Sequence, residues 1–197
     1  MLRTLLIVGA AAISLAAPSL AQNIRLVGTV TQTPTGYGLL HSSAELVSVG
    51  VDLSQHVGDD LDMTGTLVPG SVPPRVGILT EESPTSWFRI QGTPRIGRRI
   101  TLRIDDNLAH EYYTFLGMGE GFLPLDPIVS VVHGTLMIDL PVFTIAWGFM
   151  QNVWRQDVTI PNDPGLVGVR LLFQPAVVYQ QPTELLYINV EELVIQP

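Results

Sequence analysis

The chain has 197 residues, a formal net charge of -8 at pH 7 and no cysteine. All ten basic residues are arginines, so the composition excludes lysine Schiff bases, lysine and cysteine nucleophiles and cysteine-ligated zinc. The acidic balance also argues against nucleic acid as a partner, because such binding depends on neutralising phosphates with basic side chains.

The first part of the chain has the pattern of a signal peptide, predicted over 1–21. One arginine supplies a short basic start, an apolar run covers 5–17, and small residues precede a cleavage site at Ala21-Gln22. Pro18 interrupts the apolar run, which is shorter than the roughly 20 residues that a membrane-spanning helix needs. We therefore expect cleavage before Gln22, a secreted, periplasmic or surface location, and no transmembrane segment in the mature chain.

Short runs rich in Val, Ile, Leu and Thr follow, separated by Gly, Pro, Asn and Asp, and no stretch has a sustained helical stripe. Such runs predict β-strands and an all-β protein. The first five predicted strands cover 25–31, 38–41, 45–53, 60–67 and 76–80. Five short strands within about 60 residues are typical of a small closed Greek-key barrel. We predict such a barrel domain over 22–80.

Three segments of this first half form a further pattern. They are Gly28-Thr29-Val30, Leu39-Leu40, and the run VDLSQHVG at 51–58 that continues to Met63-Thr64-Gly65. In this pattern the chain resembles bacterial exported OB-like domains. The resemblance implies an OB-like barrel but no particular ligand, because barrels of this kind hold many ligands.

The segment 81–86, EESPTS, is polar, acidic and broken by Pro84, so we predict a linker there. The remainder, 87–197, is predicted to be a jelly-roll-like β-sandwich domain, because its runs alternate with period two. We expect three sets of alternating residues to face a core: Ile100, Leu102 and Ile104; Phe143, Ile145, Trp147 and Phe149; and Trp154, Gln156, Val158 and Ile160.

Several motifs of this second half occur in a characteristic order. They are TPRIG at 93–97, LGMG at 116–119, IPNDPGLVG at 160–168 ahead of Leu172-Phe173-Gln174, and LLYINV at 185–190. In this order the chain resembles an exported β domain of unassigned function from secreted proteins of planctomycetes and myxobacteria. Asn189 falls later than the pattern of that family, and the cysteine in the middle of the pattern is absent, so the disulfide that it implies is absent too.

Two groups of residues are candidates for metal or catalytic chemistry. Asp59, Asp60 and Asp62 cluster at a turn, and carboxylates are ligands that Ca²⁺ prefers, although the EF-hand pattern is missing. A solvated acidic turn is the alternative interpretation. His110-Glu111 lacks the second histidine of a zinc-binding helix. We therefore predict no catalytic or cofactor-binding residue, and no cofactor apart from a possible Ca²⁺ ion.

A binding surface is predicted from aromatic and basic residues of the second half. Adjacent strand residues face opposite ways, so either Tyr112 or Tyr113 is expected at the surface, together with Trp87 near the linker. Arg95 and Arg99 belong to a basic patch that could contact an anionic polymer, a neighbouring copy or the protein's own carboxylates.

From these observations we expect a non-catalytic exported β protein that acts as a binding or structural module of the cell envelope or extracellular space. Two alternatives stay open. The first is a carbohydrate-directed protein, either a sugar-binding module or an unusual glycoside hydrolase. The second is a surface component that assembles with itself. The expected partners are correspondingly an envelope polymer, a glycan or another copy of the chain.

Overall fold

The computed structural model describes residues 23–126, 131–180 and 183–197, and the predicted signal peptide lies outside them. The described chain is all-β, as predicted, and no helix in it is long and apolar enough to cross a membrane. Two short 3-10 turns lie at Leu53–Gln55 and Pro164–Leu166. The strands are β1 (Asn23–Thr33), β2 (Gly36–Leu39), β3 (Glu45–Ser48), β4 (Asp60–Val68), β5 (Arg75–Glu82), β6 (Trp87–Gln91), β7 (Arg99–Asp105), β8 (Glu111–Gly117), β9 (Glu120–Pro124), β10 (Val132–His133), β11 (Thr135–Ile138), β12 (Phe143–Phe149), β13 (Val153–Thr159), β14 (Arg170–Gln180), β15 (Thr183–Tyr187) and β16 (Glu191–Val194).

The first five strands form a closed barrel in the order β1-β2-β3-β5-β4. Strands β1 and β4 close it by antiparallel pairing, whereas β3 and β5 pair in parallel. The small closed barrel predicted from the sequence is confirmed. Its third strand ends at Ser48 rather than at residue 53, because Asp52 accepts a hydrogen bond from the backbone N–H of Ser54 and caps the 3-10 turn that follows.

Large aliphatic side chains fill the barrel, among them Leu26, Leu53 and Met63, which are fully buried. The small circumference also requires glycine at one close approach. A Cβ atom on Gly65 would lie 2.7 Å from the carbonyl oxygen of Gly77 in the neighbouring strand. The pairing of β4 with β5 shifts register next to Gly65, and such bulges bend strands so that a sheet can close.

The second half contains two facing sheets with a core between them. One sheet has the order β10-β15-β14-β8-β12, with β16 also paired to β14; the other has the order β13-β7-β6. Phe88 and Leu102 of the smaller sheet belong to the same buried cluster as Val177 and Leu186 of the larger sheet. The predicted sandwich is thereby confirmed, and Ile100, Leu102 and Ile104 are all buried as the alternation predicted.

Two buried amide side chains of this sandwich form hydrogen bonds with backbone groups of other segments, as a neighbouring strand would. The Gln174 carboxamide accepts from the backbone N–H of Met137 at 2.7 Å and donates to the carbonyl oxygens of Thr135 and Ile188 at 2.8 and 2.9 Å. Asn189 similarly accepts from and donates to the backbone of Phe88. Both residues lie in the motifs that suggested the exported β domain, and both have a structural role.

The barrel packs directly against the second half. Val27 of β1 belongs to the core of the sandwich, whereas Met137 of β11 packs with the core of the barrel. The Thr135 hydroxyl donates to the carbonyl oxygen of Arg25 at 3.1 Å. The predicted linker begins inside a strand, because β5 continues to Glu82. The division into two domains, at 22–80 and 87–197, stays a prediction.

Glu191 lies where the two halves meet, and its titration should affect stability. Burial, the largest cause, and the charge of Asp60 raise the pKa of Glu191 from 4.5 to about 7, while Arg89 opposes this shift. Between these two values the folded state binds more protons than the unfolded state. The free energy of unfolding therefore contains a term that decreases as the pH rises from 4.5 to about 7.

We expect Glu191→Gln to remove this decrease, so that the variant is more stable than the parent at pH 8 by about 1 kcal/mol after allowance for solvent screening. Urea unfolding at pH 5 and pH 8 measures the difference. Burial lowers the pKa of His41 and gives a slope of opposite sign, but His41 is present in both proteins and cancels. Glu82→Gln, at an exposed position, controls for the lost negative charge. Equal pH dependence of Glu191→Gln and the parent would contradict the prediction.

Candidate functional site

Four large apolar side chains of β12 are exposed. Phe143 is 58% exposed, Ile145 41%, and Trp147 and Phe149 are each 69% exposed. The prediction that this set faces the core is wrong. The physical reason is that β12 is the outermost strand of its sheet, paired among the described residues only with β8, and that the opposing layer does not cover its side chains.

The prediction that the four side chains share one face is wrong as well. The register between β12 and β8 shifts between Thr144 and Ala146. Before the shift Phe143 pairs with Leu116, and after it Trp147 pairs with Tyr113. Directly paired residues point to the same face. Leu116 and Tyr113 are three positions apart on β8 and therefore lie on opposite faces. The bulge thus places their partners Phe143 and Trp147 on opposite faces.

Trp147 and Phe149 belong to the outer face of the larger sheet, where Tyr113 joins them. We call Tyr113, Trp147 and Phe149 the aromatic platform. Further inward the same face is aligned in two rows across four strands, where Ala176 is fully buried and Tyr187 packs against the core of the barrel. The rows are Trp147, Tyr113, Ala176 and Tyr187 in one, and Phe149, Glu111, Val178 and Leu185 in the next.

Polar groups adjoin the aromatic platform. The Tyr113 hydroxyl donates to Oε2 of Glu111 at 3.4 Å. Partial burial, followed by the charge of Glu111, raises the pKa of the Tyr113 phenol, so this phenol stays a neutral donor. The ring of His110 contacts Phe149 edge to face, with centroids 5.2 Å apart. The platform thus combines flat apolar rings with a carboxylate and a phenol, which suits a ligand that has an apolar face and hydroxyl groups.

The three aromatic residues proposed from the sequence have different environments. Tyr112 and Tyr113 face opposite ways, as predicted, and Tyr113 is the one at the surface. Trp87 and Tyr112 are only 9% and 7% exposed, so their assignment to a binding surface is corrected. Trp87 belongs to the sandwich core, and the Tyr112 ring packs on Trp154 with centroids 4.2 Å apart.

The two arginines proposed for this surface lie elsewhere, beside a shallow depression lined by Thr93, Arg95, Arg98 and Arg99. Arg99 forms an ion pair with Asp157 at 3.2 Å. Within 23–126, 131–180 and 183–197, Arg95 and Arg98 form no ion pair. The patch is therefore only partly compensated by the protein's own carboxylates.

The turns around this depression have a structural explanation. Gly97 has a φ of 69° and its N–H donates to the carbonyl oxygen of Ile160 at 3.0 Å. Asn162 lies against Gly97, and Asp163 accepts from the N–H of Gly165 at 2.8 Å. The motif IPNDPG therefore connects strands and packs on the motif TPRIG.

The three carboxylates proposed for Ca²⁺ do not converge. Asp62 is buried in a bidentate pair with Arg25, at 2.8 and 2.5 Å. Asp60 accepts from the hydroxyl of Thr29 at 2.8 Å, and Asp59 lies 3.3 Å from a ring nitrogen of His56. In the part of the chain that the structure describes, no three acidic, histidine or cysteine residues are grouped to hold a metal ion.

The arrangement nearest to a catalytic constellation is Ser86 with Asp106 and Tyr179. The Ser86 and Tyr179 hydroxyls both bond Oδ2 of Asp106, while Oδ1 accepts from the backbone N–H groups of Leu108 and Ala109. Ser86 and Asp106 are almost fully buried, so the group is inaccessible to a substrate. Its hydrogen bonds hold the end of β7 in place.

Sequence reasoning did not identify Trp147 because the alternation on β12 is the same as that of a strand with a buried face. One available signal is that β12 has no charged residue and ends in aromatic rings at both termini, Phe143 and Phe149. No protein-family model matches the chain, and no curated protein matches it either.

Proposed function

We propose that this chain is a non-catalytic exported β protein, a binding or structural module of the cell envelope or extracellular space. In this proposal the barrel is OB-like, and the second half is an exported β domain of the type found in secreted proteins of planctomycetes and myxobacteria. The observation that carries the proposal is the aromatic platform.

Exposure of the platform is energetically unfavourable unless something covers it. Trp147 and Phe149 each leave about two thirds of their surface in water, although a buried aromatic side chain stabilises a fold by roughly 1.5–3 kcal/mol. Grouped apolar exposure of this kind is typical of interaction sites, whereas single exposed apolar residues are common and need no explanation. The platform therefore supports binding as the role of this face.

A non-catalytic role is supported by what the polar groups already do. Among the described residues, His41, His56 and His133 lie beside different carboxylates in separate places. Ser86 and Asp106 have structural hydrogen bonds in the interior. These histidines are thus isolated from one another, and Ser86 and Asp106 are engaged in the fold.

A carbohydrate is the second candidate, favoured by the pairing of Trp147 with Tyr113 on neighbouring strands. Two aromatic side chains on directly paired residues share one face of the sheet, and the apolar face of a pyranose can cover such rings. Glu111 and the Tyr113 hydroxyl could then bond the equatorial hydroxyl groups at its rim. The ligand of the platform would in this case be an envelope or extracellular glycan.

We expect Trp147→Ala to weaken glycan binding about tenfold, the loss that corresponds to about 1.4 kcal/mol of ring contact. A glycan array identifies the ligand, and titration calorimetry with that ligand measures the affinity. Leu108→Ala is the matched control, since Leu108 is also highly exposed but lies outside the platform.

Two outcomes would contradict these proposals. If no glycan on the array binds, or if Trp147→Ala and Leu108→Ala bind equally well, carbohydrate is not the ligand of the platform. The non-catalytic proposal is tested separately with a panel of glycoside substrates. Reproducible turnover that disappears on substitution of one carboxylate, such as Glu111→Gln, would refute it.

A further inference from the structure

The outer edge of β12 has no strand partner in the described part of the chain. β12 is the last strand in the sheet order, and β8 pairs with only one of its two edges. The backbone N–H and C=O groups of alternate residues along Phe143–Phe149 therefore point away from the sheet. Such an edge can pair with a further strand, because hydrogen bonds and side-chain contacts then extend across the boundary.

Another edge strand of the fold carries features that prevent such pairing. β13, at the edge of the smaller sheet, carries the exposed charged residues Arg155 and Asp157. Charged side chains are a common means by which proteins keep edge strands apart. β12 has seven residues, no charged side chain and four large exposed apolar side chains, so protection by charge is missing there, and only the bulge between Thr144 and Ala146 interrupts its edge.

A second copy of the chain fits this edge by charge. The chain has a net charge of -8, so two copies repel each other at most orientations. β12 itself adds no charge to this repulsion, because neither strand has a charged side chain to place against its partner. Antiparallel pairing would bring exposed apolar side chains of the two strands together along this edge, and aromatic and aliphatic cross-strand pairs on one face are favourable.

We propose that two copies of this chain associate through β12, paired antiparallel about a two-fold axis perpendicular to the sheet. The two larger sheets then form one continuous sheet, and both aromatic platforms lie on the same side of it. The interface is isologous, as in most homodimers. A single seven-residue strand gives a small interface compared with the roughly 800 Å² per partner of a standard stable interface. The dimer is therefore weak, with a dissociation constant in the micromolar range or above.

Sedimentation velocity from about 1 µM to about 1 mM tests the proposal, since a small interface dissociates within this range. We expect the parent protein to pass from monomer to dimer. Ile145→Lys should raise the dissociation constant at least tenfold, because pairing of the two β12 strands would bury the charge of the introduced lysine. Val153→Lys is the matched control: Val153 is similarly exposed, on the protected edge strand β13, and this variant should associate like the parent.

Thr144→Lys provides a second test on the same edge, and circular dichroism confirms that each variant is folded. A parent protein that stays monomeric at the highest concentration would overturn the proposal. So would a dimer that survives both β12 substitutions, or one that Val153→Lys weakens as much as Ile145→Lys does. The test contains no glycan, so its outcome is independent of the ligand of the platform.

Discussion

Asp106→Ala is expected to lower the free energy of unfolding by at least about 3 kcal/mol, among the largest effects of any single substitution in this fold. One buried carboxylate satisfies four donors: the N–H groups of Leu108 and Ala109, at 2.6 and 2.8 Å, and the Ser86 and Tyr179 hydroxyls. Alanine would leave the N–H groups of Leu108 and Ala109 without an acceptor, whereas the Ser86 and Tyr179 hydroxyls, 2.6 Å apart, could still bond each other. Each donor left unpaired in the interior costs roughly 1–3 kcal/mol.

The neighbouring carboxylate supplies the control for this experiment. Asp105 pairs with Arg103 at 2.6 Å, but both side chains are partly exposed. Asp105→Ala should therefore cost less than about 1 kcal/mol, as exposed ion pairs do. Guanidinium unfolding of both variants measures the difference. A loss of similar size in the two proteins would show that the hydrogen bonds of Asp106 do not stabilise the end of β7.

A spectroscopic measurement can follow the same site. Burial, its largest cause, raises the pKa of Tyr179 to about 12, and the charge of Asp106 contributes in the same direction. In Asp106→Asn the side chain keeps nearly the same shape but loses the charge. We expect ultraviolet titration of this variant to show one tyrosine ionising at lower pH than in the parent protein.

Gln174→Met is expected to cost about 3 kcal/mol, the second of the two largest effects. Methionine has a similar volume, but it leaves the N–H of Met137 and the carbonyl oxygens of Thr135 and Ile188 without a partner. Gln174 is completely buried, so water cannot replace these bonds without opening the structure. The Gln174 carboxamide joins β14 to β11, which in turn packs against the barrel.

Gln156→Met, at an exposed position of β13, is the matched control and should change stability by less than about 0.5 kcal/mol. Urea unfolding followed by fluorescence gives both values. If Gln174→Met is as stable as Gln156→Met, the hydrogen bonds of the Gln174 carboxamide stabilise the folded state no more than hydrogen bonds with water stabilise the unfolded chain. A lower unfolding slope for Gln174→Met would instead indicate partial separation of the two halves.

Much of the fold could be predicted from the sequence because strands and turns have local causes. Alternation over residues 99–104 predicts one buried face of β7, and it is observed. Pro161 and Gly165 predict the turn after β13. The closed barrel follows from five short strands in a short segment. In contrast, the end of β3 depends on a cap by Asp52, a detail that strand propensity does not contain.

The candidate site could be predicted only in part. Tyr112 and Tyr113 are adjacent, and the alternation of a strand requires one of the two to face outward. The sequence alone does not say which. Trp87 and Trp147 were assigned in reverse: the first is buried and the second is exposed. Burial of an apolar side chain depends on the layer that covers its strand, and period-two alternation does not indicate whether such a layer is present.

The sequence by itself determined the all-β class, the period-two strands, the turns and the chemistries excluded by the lack of cysteine and lysine, because these depend on composition and neighbouring residues. Only the tertiary structure decided which apolar strand lies at the edge of a sheet, and where a bulge at Ile145 turns Phe143 and Trp147 to opposite faces. It also decided that Asp106 and Gln174 are buried. The physical reason is that sheet order and coverage arise from contacts between residues far apart in the chain, whereas alternation is a local property of each strand.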